Sequence, residues 1–401
     1  MIDTIFDRAR VADGTVVSIA VAGGRIASIE TAAIEAPVGV ERVDLDGALV
    51  VPGLIDGHIH LDKTFVSDRW RPHRPCTSGF NVRERVAFEK EFLADAAPVE
   101  TRAASLIELA VSRGTTHMRC HVDVDLAAGL RNLEAICAVR DRYRDVVSIE
   151  IVAFPQSGIM TNPGTAELLD AAVREGADLV GGLDPAGFDK DMEGHLAAVF
   201  GIAERGNVGI DIHLHDADAV GISELEAIAE RTKAIGMQGR VAVSHAYALG
   251  DVSIDAVKRT AAKLADAGVA IMTNAPGNRA FPPILALRDE GVTVFVGNDN
   301  IRDAWWPYGD ADMLERAMIV GYRSGFHTDH ELEVAFDLAT ASAARALRLS
   351  DYGLAVGAAA DFVALDARHV PEAVVARPGK RSVYKFGRLV ARDGAFGGSS
   401  P

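Results

Sequence analysis

Short apolar runs recur along the chain, and each stops at a polar residue. Such runs read as strands, whereas apolar residues recurring every three or four positions read as helices. Eight candidate strands end near His60, His121, Ala153, Leu183, His213, His245, Thr273 and Asp299. Helical stretches lie between most of them, for example 100–114, 132–143 and 223–236. In the last, Leu225, Ile228, Ala229 and Thr232 share one face, and Gly236 stops the helix. The two ends follow a different rhythm. "VVSIAVAGGRIASIE" (16–30) reads as a hairpin about Gly23-Gly24, and "DFVALDARH" (361–369) and "SVYKFGRLVARDG" (382–394) repeat that style.

Strand and helix in eightfold alternation predict an α/β fold, a (β/α)8 TIM barrel over 51–350. The segments 1–50 and 351–401 would pair outside it as a small β-sandwich. A doubly wound open sheet is the rival, but neither G-x-G-x-x-G nor a P-loop pattern occurs.

Composition narrows the partners. The chain has 401 residues, 49% hydrophobic, with a formal net charge of -16. That charge argues against nucleic acid and leaves a small molecule as the expected partner. No apolar stretch approaches the ~20 residues of a membrane span, and the opening "MIDTIFDRARVADG" lacks a signal peptide's apolar segment. Cys76, Cys120 and Cys137 are too few and too dispersed for a disulfide framework or a cysteine metal site. A cytoplasmic enzyme is expected.

The polar residues that end the strands are unusual. His58, His60, His121, His213, His215, His245 and Asp299 all fall at or near C-terminal strand ends, where barrel enzymes build their active sites. His58 and His60, two apart, would share one face of a strand. With His213 and Asp299 from the fifth and eighth strands they form a ligand set for one divalent cation. Zn2+ is expected, with Fe2+ or Mn2+ as alternatives.

Taken together, the H-x-H of the first strand, His213, His245 and Asp299 resemble the amidohydrolase superfamily. "VPGLIDGHIHLD", "VAFPQSG" (152–158), "VSHAYA" (243–248) and "GNDNIRDAWWPYG" (297–309) resemble its cytosine deaminase branch. "HLDK" with Lys63, "HVDVD" (121–125), "HLHD" (213–216) and "DNIRD" (299–303) are similar to the triazine-degrading N-isopropylammelide isopropylaminohydrolases within that branch. Two positions depart from cytosine deaminases: Asp216 stands where they usually carry a glutamate, and Asn300 where they tend to carry a second aspartate. Both departures favour the triazine type. "LVGGLDP" (179–185) also lacks the strand-four lysine of two-metal, ring-opening members.

The resemblance implies hydrolytic removal of an amino or alkylamino group from a small nitrogen heterocycle by metal-activated water, as hydroxide. Asp299 would act as base and His245 would contact the attacking oxygen. His215, with Asp216 or Lys63, would move a proton to the leaving amine. Gln156, Asn300, Trp305 and Asp184 are the candidate substrate contacts; Asp123 and Asp184 are also candidates to orient ligand histidines. The insertion 66–92 is expected at the mouth, with Arg69, Arg71, Arg74, Arg83 and Arg85 solvated or salt-bridged in preference to meeting an acidic substrate. Family habit adds a homo-oligomer. A cyclic amidase and a non-enzymatic barrel relative remain as alternatives.

Overall fold

The computed structural model describes residues 2–35, 38–79, 81–277 and 279–397. Eight parallel strands form the barrel in sequence order: β1 (Leu54–Ile59), β2 (Thr115–Asp123), β3 (Ser148–Phe154), β4 (Leu179–Leu183), β5 (Gly209–Leu214), β6 (Val241–His245), β7 (Val269–Thr273) and β8 (Val294–Val296). Their residues are almost all buried, because the inner face meets the barrel core and the outer face meets helices. Those helices include Val99–Ser112, Arg131–Tyr143, Met192–Gly206, Asp218–Ala234 and Ile254–Asp266. Observed strands end within two residues of the expected positions, except the eighth. Its ladder stops at Val296, and Asp299 is held by a single bridge to Ile59.

That bridge is the seam of the barrel. The Asp299 N–H donates to the His58 carbonyl at 2.7 Å, joining last strand to first. Gly297 permits the approach, since a Cβ there would lie 2.4 Å from the His58 nitrogen and 2.6 Å from its Cβ.

Both ends of the chain build a separate, mostly antiparallel sheet, as their patterns predict. It is one hydrogen-bonded sheet of nine strands. Strands from Thr4–Arg10 to Leu49–Pro52 join those from Phe362–Leu365 to Ala395–Phe396. The Gly23-Gly24 turn meets Phe386 and Gly387, because Ala360 N–H donates to the Gly24 carbonyl and Gly387 N–H to the Ala360 carbonyl. Phe6, Phe362 and Tyr384 pack together with ring centroids 4.7–4.9 Å apart. Among the described residues no helix is long and apolar enough to cross a membrane.

Gly297→Ala should wedge the seam open and cost about 1–3 kcal/mol, the usual range for overpacking. Thermal melting and bound metal, measured together, should both fall. Unchanged values for both would show that the seam tolerates separation.

Candidate active site

The C-terminal end of the barrel gathers the histidines. His58, His213 and His245 bring ring nitrogens within 4.8 Å of one another, and so do His58, His60 and the Asp299 carboxylate. Asp299 Oδ1 lies 3.5 Å from His58 Nε2 and 3.3 Å from His60 Nε2. His58 Nε2 and both ring nitrogens of His213 are buried with no hydrogen-bond partner among the described residues. Buried polar atoms normally find partners, so this convergence fits a bound cation. The donor set, imidazoles with one carboxylate, is the chemistry of zinc, iron or manganese.

Protonation states agree. Burial pushes His58 and His213 well below the ordinary histidine value, and neighbouring imidazoles add to it. Burial and then His215 push His245 down to about 3. Burial raises the Asp299 carboxyl, but the hydrogen bond with His60 and the imidazoles of His245, His60 and His215 outweigh it and hold it below its usual range. Neutral imidazole and ionised carboxylate are the forms that bind metal.

Hydrogen bonds fix which nitrogen faces inward. His60 Nδ1 lies 3.1 Å from the His121 carbonyl, so it carries the proton and Nε2 keeps its lone pair. For His58 the support is longer. Ser244 Oγ donates to Asp211 Oδ1 at 2.7 Å and therefore accepts from His58 Nδ1 at 2.9 Å. Asp211 is held in turn by Arg119 at 2.9 Å, and Arg119 by Glu150 at 2.7 Å. Asn274 donates to Asp299 Oδ2 at 2.8 Å. His121 stacks on His58 with centroids 3.8 Å apart, and Phe154 stacks on His213 at 3.9 Å. Backbones bend sharply here: Asp184, His245 and Asp299 have φ of 37°, 74° and 63°. Such left-handed conformations cost about 1–3 kcal/mol each and gather at functional sites.

The amidohydrolase family profile matches residues 41–391. The chain belongs to that family. It is similar to N-isopropylammelide isopropyl amidohydrolase of Pseudomonas sp. (strain ADP), with 32% identity over 384 residues, 94% of each chain. The crystal structure of N-isopropylammelide isopropylaminohydrolase from Burkholderia multivorans ATCC 17616 is 42% identical, with a TM-score of 0.94 over 99% of this chain and 100% of that one. That of 5-methylcytosine deaminase from Klebsiella pneumoniae liganded with phosphonocytosine is 26% identical, with a TM-score of 0.84 over 97% of this chain and 98% of that one. This amidohydrolase is a hydrolase of carbon–nitrogen bonds other than peptide bonds.

Not every expected residue of the amidohydrolase site reaches the cluster. His58, His60, His213, His245 and Asp299 converge; Lys63, Gln156, His215, Asn300 and Trp305 line the space beside them. Asp216 does not. Its carboxylate accepts from the Gly187 N–H at 2.5 Å and faces Glu224. Burial, with Asp216 and Asp184 nearby, pushes Glu224 up to about 8 against a bond from the Ala186 N–H. Asp184 is likewise turned from the substrate space. It accepts from the His215 N–H at 2.5 Å and from His215 Nδ1 at 2.9 Å, leaving Nε2 as the working nitrogen of that ring. Lys63 is buried, 2.9 Å from Asp123 and 3.4 Å from Glu89, and donates to Gln156. Burial pulls its pKa down, but Asp123, Glu89 and Asp62 outweigh this and raise it above the ordinary lysine value. A lysine so held donates a hydrogen bond and keeps its proton.

The insertion covers the mouth through the helix Val82–Leu93, whose buried Glu89 accepts from Trp305 Nε1 at 2.5 Å. Its arginines make ion pairs and hydrogen bonds within the protein; Arg71 is buried, whereas Arg69 and Arg83 stay exposed to solvent. Arg71 pairs with Asp68 and Asp95, Arg69 with Asp95, and Arg74 with Glu91. Arg83 and Arg85 donate to the Phe188 and Ala304 carbonyls. Sequence reading missed Asp211, Ser244, Asn274, Glu89 and Arg119. The signal for the first was present, since Asp211 lies two before His213 and so shares its face of β5. A separate cavity of about 300 Å³ sits at the opposite end of the barrel, beside Glu150 and Arg240, remote from the histidines.

Ser244→Ala and Asp211→Asn should each weaken metal binding about 10–100-fold, the usual effect of removing a ligand's outer support. Chelator competition measures it. Wild-type affinity in both would mean that His58 is held by packing alone.

Proposed function

We propose that this amidohydrolase removes an amino or alkylamino group from a small nitrogen heterocycle, aminotriazine- or aminopyrimidine-like. One divalent cation, Zn2+ in the first instance, would be held by His58, His60, His213 and Asp299. The observation that carries this reading is the convergence of unpartnered imidazole nitrogens and a carboxylate beside the Asp184–His215 pair. The activities of the N-isopropylammelide- and 5-methylcytosine-hydrolysing relatives add support.

Bound there, the ion supplies Lewis acidity where water and the ring carbon meet. Asp299, its second oxygen held by Asn274, takes a proton from the attacking water. His245 Nε2 steadies the oxygen that joins the ring, a contact of a kind worth about 3–4 kcal/mol by deletion. A C–O bond forms and the C–N bond to the amine breaks. His215 Nε2 delivers the proton to the departing nitrogen, with Asp184 fixing the ring by its Nδ1–H. Histidine suits this because its ring nitrogen can both hold and give up a proton. Gln156 and Asn300 offer amides to the ring's C=O/N–H edge, Lys63 adds a charged donor, and Trp305 forms a wall. Asp184 at the end of β4, where ring-opening members carry lysine, disfavours the cyclic amidase alternative.

Metal-loaded enzyme should release ammonia or alkylamine from at least one of ammelide, N-alkylammelides, cytosine and isocytosine. His215→Asn should cut kcat about 10²–10⁴-fold, the range for general acid–base groups. Ring-opened product without amine, or full activity in the variant, would refute the assignment.

A further inference from the structure

The space beside the histidine cluster is small, about 20 Å³, little more than one water needs. It opens into a cavity of about 370 Å³. His215, Asp299, Asn300 and Trp305 line both, so a reacting carbon would sit at the junction. Gln156 and Lys63 lie on the cluster side, and the larger cavity lies beyond. Its size is that of pockets that enclose drug-sized ligands, about 300–1,000 Å³, and exceeds the needs of a six-membered ring with one amino group.

Charge says what else would enter. Arg279, Arg316 and Arg323 all line the cavity. Arg316 answers buried Asp56 and Asp299. The cavity's other carboxylate, Glu315, is paired with Arg377 at 3.1 Å. Among the described residues, Arg279 and Arg323 have no carboxylate partner. Arg279 lies 4.2 Å over the Tyr247 ring and donates to the His215 carbonyl at 2.7 Å. Arg323 donates to the carbonyls of Ala275, Pro276 and Arg279. Carbonyls position a guanidinium without cancelling its charge. In a chain of net charge -16, two uncompensated cations in one cavity make a local anion site. Tyr247, Trp306 and Tyr308 line the same cavity and supply apolar surface.

We propose that the substrate carries a carboxylate-bearing arm, received by Arg279 and Arg323 in the cavity beyond Trp305, while its ring is processed at the histidine cluster. This rests on the amine-releasing reading of the site, so the test reads binding and turnover separately. Two ligands sharing an ammelide ring, one with an N-propyl arm and one with an N-(2-carboxyethyl) arm, are titrated calorimetrically into metal-loaded enzyme. The carboxylate form should bind at least tenfold tighter in low salt. That ratio should shrink as salt rises and collapse toward one in Arg279→Gln and Arg323→Gln. Equal or weaker binding of the carboxylate form by wild type would overturn the proposal, and so would a preference indifferent to salt and retained in both variants. Where a variant melts early, the wild-type salt series decides alone. Preferential binding without amine release would uphold the arm site and refute the proposed reaction.

Discussion

The hydrogen bond from the Asp299 amide to the His58 carbonyl is the constraint on which the site depends. It closes the barrel and sets the carboxylate from the last strand beside the histidine pair from the first. Without closure, His58 and Asp299 belong to opposite edges of an open sheet. With it, Asp299 Oδ1 stands 3.5 Å from His58 Nε2, and His213 and His245 complete the ring from β5 and β6. A fold rule thereby becomes a chemical one: distant strands share one axis, so their ends can share one ion.

Burying such a group of imidazoles imposes a second requirement. The rings must present the correct nitrogen, because an unpartnered polar atom in the core is costly. The structure meets this from beneath for three of them. His60 is turned by the His121 carbonyl, His58 by Ser244 and Asp211, and His215 by Asp184. Arg119 and Glu150 extend the His58 support down the barrel. The charges of buried Lys63 and half-buried Arg279 are answered differently. Lys63 is enclosed by carboxylates and serves as a fixed donor, whereas Arg279 meets an aromatic face and a carbonyl, with no carboxylate partner among the described residues.

How far the sequence discloses this depends on the distance over which each feature is encoded. Apolar runs and their polar ends are local, so the barrel and the His58, His60, His213, His245 and Asp299 positions were legible. The support beneath them was less so, because Ser244 and Asp211 acquire meaning only when β6 lies beside β5. Asp216 shows the opposite failure. Its place three after His213 suggested a shuttle, but after β5 the chain turns its carboxylate to Gly187 and Glu224. Lys63 reads as exposed or reactive in isolation, and only the insertion's Glu89 and Asp123 of β2 explain its burial. The arginines of 66–92 were expected solvated or salt-bridged, and they are; only the burial of Arg71 against Asp68 and Asp95 needed tertiary packing to see.

Metal content per chain, measured after purification under metal-replete conditions, tests the central claim most directly. The account predicts one divalent ion per wild-type chain and its loss in both His58→Ala and Asp299→Ala. A metal-free wild type, or full occupancy in both variants, would contradict it.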